Sequence, residues 1–203
     1  MTQAIQKTVI AWWQNLIILT ILNVVWLALQ LLIVTAAPAT AAFYGVANSM
    51  AAGDSISWEE FWEGFRRHFW KATRWGLLQV VFYFIVVFNF AYYAQAGSVS
   101  WGLIKIIWGG VALVWTILQL LYWPLILEAE DQSIRNTLHN ALTMLWLHPL
   151  SVLGLALITV VIIAACVLTA FLMGLIMMPF VTLMGTFVAR DLLRGFRDTQ
   201  QQT

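Results

Sequence analysis

Four uninterrupted apolar runs dominate this chain and decide what it can become. A bilayer core of about 30 Å needs about 20 apolar residues in a helix. The stretches Leu16–Ala37, Gly76–Tyr93 and Leu103–Leu127 each meet that length. The fourth run, Ser151–Val188, would extend about 57 Å at roughly 1.5 Å per residue, too far for one crossing. Gly174 and Pro179 lie in its second half, where a helix can break. The pattern predicts an all-α, polytopic membrane protein with about five transmembrane helices in a single domain over residues 1–203. The predicted spans are 16–37, 76–93, 103–127, 151–170 and 172–188.

Composition excludes most alternatives. Hydrophobic residues make up 62% of the chain and charged residues 9%, with a net charge of +1. A soluble domain carries about 25% charged residues. So few charges cannot cover a globular surface, and a nucleic-acid binder would need a concentrated basic footprint. The single cysteine, Cys166, excludes an intramolecular disulfide framework.

Basic residues set the orientation. Arg66, Arg67, Lys71 and Arg74 lie between the first two spans, Arg135 between the third and fourth, and Arg190, Arg194 and Arg197 after the last. The connection 94–100 has no charge. Positive residues mark the interior side, so the reading is a multi-pass protein of the cell inner (cytoplasmic) membrane with a cytoplasmic C-terminus. The N-terminus, holding Lys7 alone, then faces out. If residues 38–52 also crossed, there would be six spans and an interior N-terminus. They cover only about 22 Å, short of the hydrocarbon thickness. The chain's start lacks the short apolar core and small-residue site of a cleaved signal.

Two interior segments are polar enough to leave the bilayer. In Ser57–Trp75, Ser57 and Glu60 have capping-box spacing. Glu59, Glu60 and Glu63 precede the basic residues, which suits the helix dipole. Trp58, Phe61, Trp62, Phe65 and Phe69 form an aromatic face. The expectation is an amphipathic helix lying in the interface, its basic end on lipid headgroups; docking of a partner protein is the sharper alternative. The second segment runs from Glu128 through Leu145 to His148-Pro149. Between the first span and these segments, Pro38 suits a first helical position. Ala37, Ala41, Gly45, Ser49 and Gly53 then make a small-residue stripe for close helix packing.

Pro38-Ala39, Gly53-Asp54 and Phe61-Trp62-x-x-Phe65-Arg66-x-x-Phe69, followed by further hydrophobic runs, resemble the YesL-like family of small bacterial integral membrane proteins. That resemblance implies a membrane protein of unknown biochemical role, commonly encoded beside carbohydrate importer components. It implies a carbohydrate importer permease as partner and supplies no catalytic or ligand-binding residues.

Catalytic motifs are missing. His68, His139 and His148 are scattered, with no zinc-ligand pair, phosphate loop or nucleophile elbow. The sequence therefore points away from an enzyme, a metal site and a cofactor. One face of the third span is different: Trp101, Lys105, Trp108, Trp115, Gln119 and Tyr122 share it. Asn23, Trp26 and Gln30 share a face of the first span, and Gln79 and Asn89 belong to the second. Aromatic planes with amides suit a sugar, whose C–H face stacks while its hydroxyls bond. The same residues equally suit packing, with tryptophans filling gaps and amides bonding across helices. Arg66, Arg67, Lys71, Arg74, Arg190, Arg194 and Arg197 read as lipid or partner contacts. Together these features suggest an accessory membrane component associated with carbohydrate uptake. The rival reading is a small transporter using the third-span stripe.

Overall fold

The computed structural model describes the backbone of residues 2–94, 99–129, 133–168 and 177–201. Among them are eight helices and no strand: α1 (Thr2–Gln14), α2 (Leu16–Gln30), α3 (Ile33–Ala52), α4 (Trp58–Ala94), α5 (Val99–Glu128), α6 (Ile134–Leu147), α7 (Pro149–Leu168) and α8 (Met177–Gln201). The all-helical expectation holds. Three described helices are long and apolar enough to cross a membrane: α4, α5 and α7. A fourth candidate is the pair α1 and α2, which bends by 92° at Asn15.

The first expected span is not one helix. Residues 16–37 divide at Leu31–Leu32, where Leu32 turns extended (φ −102°, ψ 108°) and α3 begins at Ile33. Pro38 therefore sits inside α3 and not at its first position. At the other end of α3, Gly53 takes φ 92°, a left-handed cap that favours glycine, and Asp54 N–H bonds Ser49 O at 3.0 Å.

The expected in-plane helix is also corrected. Residues 58–94 form one continuous helix, because no breaker stronger than Gly76 separates the charged half from the apolar half. Ser57 does cap it, accepting a bond from Glu60 N–H at 3.2 Å. Gly76 allows α3 to lie close: a Cβ there would come within 2.8 Å of the Ala37 methyl. The first part of the small-residue stripe thus serves packing inside the molecule, with Ala37 against Gly76 and Ala41 fully buried, whereas a Cβ at Gly45 would meet nothing within 4 Å.

The break between α6 and α7 follows from Pro149. The residue before a proline is pushed out of the helical region, and His148 has φ −128° and ψ 53°. Of the last expected span, 172–188, residues 172–176 lie outside the described set. The rest is the first half of α8, where Leu183, Met184 and Val188 are buried.

α8 is the centre of the bundle, touching α1, α2, α3, α5 and α7. Helix α1 runs along it, with Ala4 and Leu192 in one apolar cluster and the rings of Trp12 and Phe180 5.3 Å apart. Lys7 reaches Asp191 at 3.6 Å. The N-terminal helix therefore shares an end of the bundle with the charged part of α8, and the expectation that Lys7 faces the opposite side is not met. An apolar band covers the outer faces of α4, α5 and α7, where Phe84, Phe88, Ile106, Leu113, Leu157 and Val161 are exposed.

Candidate functional site

The polar face of the third expected span, now α5, meets α4 in an antiparallel seam. Trp75 and Tyr122 stack with centroids 3.8 Å apart and planes at 8°. Phe82 stacks on Trp115 at 4.7 Å. Trp115 Nε1 donates to Gln79 Oε1 (2.8 Å), Gln79 Nε2 donates to Gln119 Oε1 (2.9 Å), and Gln119 Nε2 donates to Trp115 O (3.2 Å). Each donor and acceptor in this chain answers another, as apolar surroundings demand.

The first-span residues belong to other seams. Trp26 Nε1 donates to Thr40 Oγ1 at 3.1 Å and Gln30 Nε2 to Ala36 O at 3.3 Å. Asn23, fully buried, accepts the backbone N–H of Met178 at 3.3 Å. That N–H belongs to the first turn of α8, whose donors have no partner within the helix. The structure thus brings Trp115, Gln119 and Tyr122 together and leaves Asn23, Trp26 and Gln30 elsewhere. Lys105 and Trp108 are half-buried higher on α5, and the Trp101 side chain lies outside the described residues. The stripe is three helix seams and not one groove.

The charged end holds the polar constellation that sequence reasoning missed. Arg190 turns inward: Nε donates to Glu128 Oε1 at 2.6 Å, and Nη2 donates to Asn48 O (3.1 Å) and Asn48 Oδ1 (2.8 Å). One guanidinium, 18% exposed, joins α8 to the ends of α5 and α3. Its side chain is thus turned into the protein, whereas Arg194 beside it is exposed. The Arg197 side chain lies outside the described residues.

Next to this clamp, α3 and α4 enclose a cleft of about 230 Å³ lined by Asn48, Ser49, Glu60, Glu63, Arg67 and His68. Ser49 Oγ bonds Glu60 Oε1 across it. The cleft is open over Gly45, where a Cβ would meet nothing within 4 Å. Partial burial, then the charges of Arg67 and Lys71, push His68 below the usual histidine range. Arg66 and Arg74 on α4 are exposed, as is Arg67 at the cleft.

The motif residues lie on the same two helices and at the turn between them, but none of them lines this cleft. Phe61 is fully buried and meets Phe43 edge-on at 6.3 Å, while Phe65 and Phe69 continue an aromatic ladder along α4. Pro38 and Ala39 are buried in α3, and Gly53-Asp54 caps it. No group of three or more His, Cys, Asp or Glu able to hold a metal occurs among the described residues.

Fold and surface together define an all-helical protein of the integral membrane class, with an apolar band and one charged end. A family described as "Protein of unknown function, DUF624" matches residues 19–90, which takes in most of α2, all of α3 and most of α4, including all six cleft-lining side chains named above. No curated protein and no solved structure matches the chain.

Proposed function

We infer that this chain is a non-enzymatic accessory membrane protein of the YesL-like kind, which engages the permease of a carbohydrate importer through its charged end. The observation that carries the reading is the division of polar groups. Gln79, Trp115 and Gln119 hold α4 to α5, which removes the best candidate for a transport path. Glu63, Arg66, Arg67, Arg74, Arg135 and Arg194 stay exposed. The association with carbohydrate uptake rests on the family resemblance, and the interior side of the inner membrane on the positive residues at this end.

The test is co-expression with carbohydrate importer permeases of the same cell and purification in mild detergent. Reversal of Arg66, Arg67 and Lys71 to Glu should abolish recovery of the permease while the protein still inserts. Each basic contact near an anionic surface contributes on the order of 1 kcal/mol, so insertion is measured alongside. Equal permease recovery with the reversed variant, or no permease with the parent, would contradict the proposal.

A further inference from the structure

We propose that α2 and α3 form a re-entrant hairpin, entering the bilayer from the charged end and returning to it, with residues 31–34 in the hydrocarbon. The chain between Lys7 and Asp54 has no charged residue, so nothing in it resists insertion. Both arms start and finish at the same end. A surface hollow is lined by the α1–α2 elbow (Trp13, Asn15, Ile17) together with Trp58, which sets the start of α2 beside the start of α4. Asn48, near the end of α3, is held by Arg190 at the charged end.

The arms are too short to cross. Leu16–Gln30 rises about 22 Å, and α3 from Ile33 to Ala47, before the clamp, rises by the same amount, against a core of about 30 Å. Ala37 lies against Gly76, and α4 continues about 27 Å beyond that contact to Ala94. The turn, five residues above Ala37, stops well short of the far end of α4.

The turn has the chemistry of a membrane-buried break. Leu31, Leu32, Ile33 and Val34 are 84%, 63%, 79% and 59% exposed, an apolar tip unsuited to water. A helix break in lipid must satisfy its own backbone groups. Thr35 does so for the end of α2, and Gln30 ties the turn back to α3. Thr35 Oγ1 donates to Leu29 O (2.6 Å), with Leu32 O also within 2.9 Å, and Gln30 Nε2 donates to Ala36 O (3.3 Å). Thr35 N–H bonds Leu32 O at 2.9 Å, and Leu31 N–H bonds Ala28 O at 3.3 Å.

The test uses the full chain with Cys166→Ala, carrying one nitroxide-labelled cysteine at Leu32 or at Asp54, in phosphatidylethanolamine–phosphatidylglycerol vesicles. Power saturation should give Leu32 greater collision with oxygen than with a water-soluble nickel chelate, and the reverse at Asp54. Nickel collision dominating at Leu32 would overturn the hairpin, whether the tip proved to lie in water on the same side or across the membrane. A second variant, Thr35→Val, keeps the side chain's shape and removes its hydroxyl. It should lower the melting temperature in vesicles, whereas an unchanged melting temperature would mean that water satisfies the turn and would also overturn the proposal.

Discussion

Replacing Arg190 with Leu should destabilise the protein more than any other single change at the charged end. The substitution removes the 2.6 Å bond to Glu128 and the 3.1 and 2.8 Å bonds to Asn48. A hydrogen bond to a charged group contributes about 1.5–3 kcal/mol. The three bonds act as a unit and the two charged side chains are 18% and 23% exposed, so solvent screens part of the loss. The expected cost is about 3 kcal/mol, close to the lower bound for stripping one partner from a buried pair. On the scale of soluble proteins of this size, that is about 6–12 °C in melting temperature. Arg190→Lys should recover only part of it, because an ammonium lacks the fork that reaches Glu128 and Asn48 together. The assay is thermal unfolding in mild detergent of Arg190→Leu, Glu128→Leu and the double variant. A coupling energy of about 1 kcal/mol or more is expected from that cycle. Additive single effects would refute the view that one guanidinium ties α3, α5 and α8 together.

Three further outcomes follow from the packing. Gly76→Val should cost about 1–3 kcal/mol through overpacking against Ala37, whereas Gly45→Ala, in a helix interior where a Cβ meets nothing within 4 Å, should leave the melting temperature undiminished or slightly raised. Gln79→Leu leaves the Trp115 indole N–H and the Gln119 carbonyl without partners and should cost about 1–3 kcal/mol; a neutral result would reopen the stripe as a solvated groove. His68 has a folded-state pKa below its unfolded value, so the unfolded chain binds more protons as the pH falls through the ordinary histidine range, about 6.5. Stability should therefore decline on acidification through and below that region, and His68→Gln should blunt the decline in a pH series of melting curves.

The spans were legible in the sequence because apolar run length is a one-dimensional signal. The run Leu103–Leu127 lies inside α5, and the run that opens at Ser151 follows the start of α7 at Pro149. The capping box of Ser57 and Glu60 was equally readable, since its partners are three residues apart. What failed involved partners far away in the chain. The spacing of Arg190, Arg194 and Arg197 gives a shared helix face, but Asn48 and Glu128, 142 and 62 positions distant, turn Arg190 inward. Periodicity likewise placed Trp115 and Gln119 on one face without saying that Gln79 stands opposite. Pro38 pointed to a helix start there, yet Thr35 and Gln30 make the break earlier by bonding the carbonyls around it. The cleft was hidden for the same reason: Ser49 looks like part of a small-residue stripe until α4 folds back over it.

The central claim is that the charged residues of distant helices gather on one side of the membrane. Single cysteines at Lys7, Glu59, Arg135 and Arg194, each in the Cys166→Ala background, test it in sealed vesicles of one orientation with a membrane-impermeant maleimide. The Lys7–Asp191 contact and the joining of α3, α5 and α8 by Arg190 predict that all four positions react from the same side. Labelling of Lys7 from the side opposite to Arg194 would contradict the account.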